Sequence, residues 1–334
     1  MEDKWHMLLY GVIYRAKDEV WRKMISVIML TYNRKEYVNN MIGDILKQSF
    51  REFEYIIIDN GSIDGTDKVL DEYVGLDSRI KVITLAEPQP IGKARNIGVQ
   101  HAAGEYITFV DDDDRLSADY LQYLYGLITE FDAQVAVAGT EEEIEGVVRP
   151  QCIFSERECL SGERAVYELL QRKRIRAGTA AKMFQKSIVE KHPFPEDSYH
   201  EDIHVTYRFL CEAERVAMGG KPIYRFTRHG GNISFFTSDK QLWTGNELQE
   251  YITAFKNREE YVAKRFPQLV DYVCYSTYSY EISMCRELLD DPPKGTKEIL
   301  EEMSLDLMKN RSRILDYSFL NKLEREYMEK KFDD

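Results

Sequence analysis

The strongest constraint on the fold is an alternation of short apolar runs with helical stripes between residues 25 and 138. Residues 25–30 form an apolar run rich in branched side chains, which is typical of a buried strand. Apolar pairs then recur every four residues as far as residue 46, and this spacing predicts an amphipathic helix. The same succession repeats through residue 138. It predicts an α/β fold, with a mostly parallel sheet covered by helices on both faces.

Polar clusters follow three of the predicted strands. They are residues 31–33, residues 59–60 and residues 111–114. In open parallel sheets, ligands bind beyond the carboxyl ends of the strands, which lie at one edge. We therefore expect the three clusters to meet and to form the functional site.

Composition excludes several classes of function. The chain carries 45 basic and 58 acidic residues, a net charge of −13, so we expect no nucleic-acid partner. Its five cysteines fit neither a disulfide framework nor the spacing of a zinc site, which favours a reducing compartment. No apolar run approaches the roughly 18 residues of a membrane span. We predict a cytoplasmic protein, and peripheral contact with the inner face of the membrane stays open.

The acidic run at residues 111–114 is the sharpest single feature. Four consecutive carboxylates at the end of a buried strand repel one another unless they share a cation. Mg²⁺ or Mn²⁺ takes one or two protein carboxylates, and waters and substrate phosphates complete its ligands. The alternative is a solvated acidic turn before a helix, where Asp also suits the helix dipole.

The motifs occur together in one order along the chain. They comprise residues 31–33, 59–66, 92–98, 111–114, 201–202 and 229–234. Over residues 24–234 the combination resembles the family 2 glycosyltransferases of the GT-A fold, of the bacterial surface-polysaccharide type. The resemblance implies a Rossmann-like GT-A domain at residues 24–237. An N-terminal extension at residues 1–23 precedes it, and a helical C-terminal region at residues 238–334 follows.

The resemblance also implies an activity. Enzymes of this family move a sugar from a nucleoside-diphosphate sugar to a hydroxyl of a glycan or lipid-linked glycan acceptor. We expect a UDP-sugar donor, hexosyl or N-acetylhexosaminyl transfer with inversion, and dependence on Mn²⁺ or Mg²⁺. Processive synthases of the family carry Gln-x-x-Arg-Trp, but here Trp243 is followed by Thr-Gly. We therefore expect one sugar to be added per encounter with the acceptor.

The family's functional residues carry over to matching positions of this chain. The expected donor-binding residues are Thr31, Tyr32, Asn33, Asp59, Asn60, Lys93, Arg95, Asp111 and Asp112. Asp113 and His229 are the expected metal ligands. Asp202 is the expected catalytic base, and Glu201 lies beside it on the acceptor side. Asn60 departs from the family's usual Asp-Asp-Gly-Ser, which leaves the choice of nucleotide open.

Structural alternatives accompany these assignments. Arg95 could hold the acidic loop in shape, His229 could pack a loop, and Asp202 could cap its helix. The basic run at residues 172–176 is predicted to be a solvated helix end, with an anionic acceptor or an acidic lipid surface as the alternative. We expect the C-terminal helices to cover the acceptor side or to form a homodimer.

Two other functions compete with glycosyl transfer. A haloacid-dehalogenase-like phosphatase also places Asp-x-Asp after a buried strand, but it favours Thr or Val where this chain has Arg115. A phosphatase also leaves the two nucleotide-loop motifs unexplained. The third candidate is a catalytically inactive nucleotide-sugar-binding module, and the presence of Asp202 argues against it.

Overall fold

The computed structural model describes residues 25–198, 200–230 and 240–331. The predicted N-terminal extension at residues 1–23 lies outside the described residues, as does most of the 229–234 motif.

One sheet organises the α/β part of the chain. Its strands are β1 Ile25–Thr31, β2 Phe53–Asp59, β3 Ile80–Thr84, β4 Tyr106–Asp111, β5 Arg115–Leu116, β6 Val135–Ile144, β7 Val147–Cys152, β8 Arg157–Ser161, β9 Lys182–Gln185 and β10 Arg215–Arg228. The strand order is β3-β2-β1-β4-β9-β6-β10-β5, with β7 added to β6 and β8 to β10. The pairs among β3, β2, β1 and β4 are parallel, as is the pair of β6 and β10. The mixed but mostly parallel core of the sheet confirms the predicted fold class.

Helices flank the sheet and then make up the C-terminal region. Their bounds are α1 Val38–Leu46, α2 Thr66–Leu76, α3 Ile91–His101, α4 Tyr120–Phe131, α5 Gly162–Gln171, α6 Lys186–Lys191, α7 Asp202–Glu212, α8 Gly245–Arg265, α9 Val270–Leu288, α10 Lys297–Lys309, α11 Arg311–Asp316 and α12 Lys322–Lys331. In the described ranges, none of these helices combines the length and the apolar character that crossing a membrane requires.

The sheet has a hydrophobic core on each face. Along β2, Tyr55 and Ile57 belong to one core, whereas Ile56 and Ile58 belong to the other. Successive side chains of a strand point to opposite faces, so a strand that is apolar throughout needs cover on both sides. Every residue of β2 is buried, which explains the apolar run at residues 55–58 within it.

The C-terminal helices pack on the α/β part through a shared core. Val262, Leu269 and Val273, from the segment spanning α8 and α9, belong to the core on one face of the sheet. The same helices build a further core of their own around Leu248 and Tyr280. The helical region therefore covers one side of the α/β part instead of following it on a separate linker.

The basic run at residues 172–176 is not a helix end as predicted, because α5 ends at Gln171 and Arg172 adopts a φ of +56°. Ahead of α4, the Ser117 hydroxyl donates to the Asp119 carboxylate at 2.9 Å and does not cap the helix. The pairing of β10 with β6 shifts register between Gly219 and Tyr224.

A glycine contact fixes α3 against the loop that precedes α7. A Cβ on Gly92 would lie 1.9 Å from the Pro195 carbonyl oxygen. We therefore expect Gly92→Ala to lower the free energy of unfolding by about 1–3 kcal/mol through overpacking. Gly126→Ala is the matched control, because nothing lies within 4 Å of its added Cβ, and it should stabilise α4 by about 0.5–1 kcal/mol. Urea unfolding followed by circular dichroism measures both, and equal shifts would contradict the packing argument.

Candidate functional site

The strand register brings the predicted polar clusters to one edge of the sheet. Thr31 pairs with Asp59 across β1 and β2, and Leu30 pairs with Asp111 across β1 and β4. The carboxyl ends of the three strands therefore lie side by side. The loops that follow them face a common region, as expected for a sheet of this type.

The loop after β1 is held by Asn33. Its backbone N–H donates to Ser62 Oγ at 2.9 Å, and its side-chain oxygen accepts from the Ile63 N–H at 2.9 Å. Asn33 also adopts a φ of +53°, a conformation that Asn tolerates better than most residues. Tyr32 beside it is exposed, so its ring is available for contact with a ligand. Asn33 holds the loop, and Tyr32 is free to bind.

Asp59 and Asn60 follow β2, and they differ in whether their side-chain atoms all have hydrogen-bond partners. One Asp59 oxygen accepts from the Ser62 N–H at 3.0 Å, whereas the other is buried without a hydrogen-bond partner. The Asn60 side chain donates to the Gln89 carbonyl at 2.8 Å and accepts from the Gln89 N–H at 2.9 Å. Asn60 therefore holds the loop together, and Asp59 Oδ2 is the acceptor left for a ligand.

Arg95 connects the acidic run to the acid pair at residues 201–202. Its Nε lies 2.7 Å from Glu201 Oε1 and its Nη2 lies 3.6 Å from Asp111 Oδ1. Its Nη1 donates to Thr179 Oγ1 at 3.0 Å. Burial alone lowers the pKa of Arg95, but the carboxylates of Glu201, Asp202 and Asp111 raise it above its ordinary value.

These contacts favour the structural role of Arg95, which holds the acidic loop. Lys93, one position before Ala94 on α3, is only partly buried. It forms no ion pair with the residues that the structure describes, so its ammonium is the more available cation for a diphosphate.

Within the acidic run, the buried members are Asp112 and Asp114. Burial raises the pKa of Asp112 to about 7, with Arg34 and a Thr31 hydrogen bond opposing the shift. The Arg34 guanidinium lies 3.8 Å from both Asp112 and Asp113. Arg34 was not among the predicted site residues, although a cation directly after the first polar cluster is a signal for such a pairing.

Asp114 anchors the run to β10. The Tyr224 hydroxyl donates to Asp114 Oδ2 at 2.6 Å and accepts from the Asp111 N–H at 3.1 Å. The other oxygen of Asp114 accepts from the Thr227 N–H at 2.8 Å. Burial raises the pKa of Asp114 well above its ordinary value, and Asp111 and Asp113 raise it further. Asp114 is thus a structural residue, a role that its place in the run does not reveal.

The structure brings together the two expected metal ligands. His229 Nε2 lies 3.2 Å from Asp113 Oδ2, and the imidazole stacks on Tyr37 with ring centroids 4.9 Å apart. Among the described residues, no group of three or more His, Cys, Asp or Glu side chains is arranged to hold a metal ion. A carboxylate with an imidazole fits a divalent cation whose other ligands are substrate phosphates.

Glu201 and Asp202 lie at the start of α7. Glu201 is buried, and burial raises its pKa while Arg95 opposes the shift. Asp202 Oδ2 accepts from the Thr179 N–H at 3.2 Å, and its Oδ1 is buried without a hydrogen-bond partner. One oxygen of Asp202 is therefore held in place, and the other is left for a ligand.

Lys182, in β9, lies beneath the loop that binds Asp202. Its Nζ donates to the carbonyl oxygens of Gly178 and Ala180. Burial lowers the pKa of Lys182 to about 8, and Asp202 opposes the shift. Lys182 was also absent from the predicted site. The signal was present, since a lysine directly before an apolar strand segment is unusual.

Comparison with known proteins identifies the family. Residues 26–190 match the family described as Glycosyl transferase family 2. Glycosyltransferase GlyA of Streptococcus pneumoniae serotype 4 is 25% identical over 268 residues, which are 78% of this chain and 38% of GlyA. The chain therefore spans less than half of the length of that curated relative.

Solved structures share the fold. S. aureus TarS in complex with UDP-GlcNAc has a TM-score of 0.68 at 20% identity, over 86% of this chain and 81% of that chain. Mannosyltransferase PcManGT from Pyrobaculum calidifontis, in complex with GDP-Man and Mn²⁺, has a TM-score of 0.51 at 13% identity, over 95% and 92%. These findings confirm the resemblance inferred from the motifs. Residues 26–190 belong to family 2 of the glycosyltransferases, and the chain has the GT-A fold.

Proposed function

We propose that the protein transfers a sugar from a nucleoside-diphosphate sugar to a hydroxyl of a glycan or glycolipid, with inversion and with a divalent cation. The observation that carries the proposal is the position of Arg95 between Asp111 and Glu201. It joins the acidic run to the acid pair at the start of α7, so a donor site and a base lie on either side of one buried cation. A transferase needs this neighbourhood, because the two substrates react within one site.

An unpaired polar atom supports a nucleotide at the donor side. Asp59 Oδ2 is buried without a hydrogen-bond partner, and a base or ribose would satisfy it. Tyr32 offers an exposed ring for stacking. We favour UDP because TarS was solved with UDP-GlcNAc. The complex of PcManGT with GDP-Man makes guanosine the alternative.

Asp113 and His229 would hold Mn²⁺ or Mg²⁺. Bound there, the cation would neutralise negative charge on the diphosphate leaving group. The chain itself adds Lys93, whose ammonium faces no carboxylate partner among the described residues and could pair with phosphate oxygens. Asp111 and Asp112 would contact the ribose and the outer ligands of the cation.

Asp202 is proposed as the general base. Inverting transfer needs one group that removes the acceptor hydroxyl proton as the oxygen attacks the anomeric carbon. The Thr179 N–H fixes one Asp202 oxygen, which leaves Oδ1 to accept that proton. Glu201 pairs with Arg95 instead, so its role is to position Arg95 and the acceptor side.

The competing phosphatase function finds less support. Arg115, where such an enzyme favours Thr or Val, lies 2.7 Å from Asp44 in an ion pair and so has a structural role. Release of nucleoside diphosphate from nucleotide sugars supports transfer, whereas release of phosphate from phosphomonoesters supports the phosphatase. Binding of nucleotide sugar without turnover supports the inactive module.

The C-terminal helices are proposed to complete the acceptor side. Glu250, on α8, accepts from the His200 N–H at 2.9 Å, two residues before Asp202. This contact supports treating residues 238–334 as part of the acceptor site. We also propose a cytoplasmic location, peripheral contact with the membrane and a homodimer through these helices. Vesicle binding tests the membrane contact, and size-exclusion chromatography tests the homodimer.

Asp202→Asn tests the base. We expect nucleotide-sugar affinity to stay near normal and the transfer rate to fall by about 10²- to 10⁴-fold, because a general base contributes that much. Asp197→Asn is the matched control, since Asp197 is exposed just ahead of α7, and it should transfer at the parent rate. Initial rates and donor titrations measure both effects. Transfer by Asp202→Asn within a few-fold of the parent would show that another group takes the proton.

Asp113→Ala tests the metal site. We expect this variant to lose transfer, and chelation to inactivate the parent until Mn²⁺ or Mg²⁺ is restored, because the leaving group needs charge neutralisation. Binding of Mn²⁺ in the presence of UDP, followed by electron paramagnetic resonance, should weaken in Asp113→Ala and in His229→Gln. Asp119→Ala is the control, because Asp119 pairs with Lys221 and Ser117 outside the site. Full transfer by Asp113→Ala in chelator would refute the assignment.

A further inference from the structure

The basic run at residues 172–176 is divided by the fold into two kinds of residue. Arg174 is structural, because it forms ion pairs with Glu158 and, at 2.7 Å, with Glu168. Arg172 and Arg176 are both exposed, and neither forms an ion pair with a carboxylate in the part of the chain that the structure describes. Since α5 ends at Gln171, these two arginines lie on a loop and not on a solvated helix end.

A second unpaired arginine lies beside Arg172. The guanidinium carbons of Arg172 and Arg258 lie 5.3 Å and 4.0 Å from the ring centroid of Phe255. Arg258 is buried, its Nη2 donates to Ser276 Oγ at 2.8 Å, and its Nε has no hydrogen-bond partner. Burial and the nearby charge of Arg172 lower the pKa of Arg258 to about 9, and Tyr207 and Glu259 oppose this decrease.

Two guanidinium groups near one ring repel each other, and desolvation makes the arrangement more costly. Proteins normally place a carboxylate between such groups. Here the described residues supply none in ion-pair contact with Arg172 or Arg258, so an anion from outside the chain would relieve the repulsion. Arginine suits this role because its planar fork matches phosphate and carboxylate oxygens.

Tyr251 links this cationic region to the proposed base. Burial raises the pKa of Tyr251 to about 12. Glu250 and Asp202 add to this increase, and Arg172 opposes it. The Tyr251 ring lies 4.9 Å, between centroids, from the imidazole of His200, which is two residues before Asp202. The Tyr251 ring packs on Trp243 at 4.8 Å and on Tyr280 at 6.0 Å between centroids, which gives the region an aromatic floor.

Arg176 lies in the segment that leads to the same base. It comes two residues before Gly178, where an added Cβ would lie 3.8 Å from Asp202 Oδ2. The next residue, Thr179, donates its N–H to that oxygen. Arg172 and Arg176 are four positions apart in this segment, and both are exposed.

We propose that Arg172 and Arg176, backed by Arg258 and with Tyr251 as the floor, form an anion subsite of the acceptor site. The acceptor is then a glycan that carries a phosphate or carboxylate group next to the hydroxyl that receives the sugar. This inference rests on the proposed function, because it takes Asp202 as the point where the acceptor hydroxyl lies. Phosphate and carboxylate share the chemistry that the subsite recognises.

The test uses the full chain with UDP and diamagnetic Mg²⁺ at saturation, so that the donor phosphate site is filled. The probes are glycerol 3-phosphate, methyl glucuronide and neutral methyl glucoside, with affinities measured by saturation-transfer NMR. We expect the charged probes to bind about tenfold or more tightly than the neutral one, the worth of one charge-assisted hydrogen bond. The anionic probe that binds more tightly shows whether the acceptor carries a phosphate or a carboxylate.

Arg172→Gln and Arg176→Gln should each weaken the anionic probes about tenfold and leave the neutral probe unchanged. Lys173→Gln is the matched control, because it removes the same charge from an exposed neighbour in the same run, and it should behave as the parent. Unchanged UDP affinity in every variant reports an intact fold and donor site. Failure of the parent to bind UDP would count against the proposed function and not against the anion preference. The affinities for the charged and neutral probes would then be measured without UDP.

Three results would overturn the subsite. One is equal affinity of the parent for charged and neutral probes, and another is an equal loss in Lys173→Gln and Arg172→Gln. The third concerns lipid: if the arginine variants lose binding to vesicles containing phosphatidylglycerol but keep their affinity for the soluble anions, the run is a membrane-contact patch.

Discussion

The buried guanidinium of Arg95 is the interaction on which the rest of the site depends. Its three nitrogens reach Glu201, Asp111 and Thr179, so one side chain joins the end of β4, the loop before β9 and the start of α7. Lysine could not replace it, because an ammonium lacks the rigid fork that serves several partners at once. Removing one member of a buried ion pair costs about 3–5 kcal/mol, since the remaining charge stays buried. The acidic run and the acid pair at the start of α7 are thus coupled through a single residue.

Polar side chains at the sheet edge divide into those that hold the protein and those left for ligands. Asn33, Asn60 and Asp114 use their polar atoms on neighbouring backbone or side-chain groups. Asp59 and Asp202 each keep one buried oxygen without a partner. A buried unsatisfied oxygen costs free energy, and its presence is understandable where a bound substrate supplies the missing contact. The sequence motifs contain both kinds of side chain without distinguishing them. Only the hydrogen bonds show which side chains hold the protein and which are left for ligands.

The parallel strands β1, β2 and β4 could be predicted from sequence because they are largely buried and rich in branched or aromatic apolar residues. The antiparallel additions could not. β5 has two residues, and the first four residues of β7 are exposed, so neither leaves an apolar signal. Within the site, the family motifs named the two acid clusters. They missed Arg34 and Lys182. Arg34 meets the acidic run through a tertiary contact between segments far apart in the chain, and Lys182 donates to the carbonyls of the adjacent loop.

The hydroxyl of Tyr224 sets a limit on how the acidic turn can evolve. The hydroxyl accepts from the Asp111 N–H and donates to the Asp114 carboxylate. These two contacts fix the spacing between the first and the last acid of the run. Side chains between these ends can change without disturbing either contact. An inserted or deleted residue would break one of them and release the turn from β10, whose last residue directly precedes His229. The Tyr224 contacts therefore constrain the length of the turn, whereas the side chains proposed to bind ligands constrain its composition.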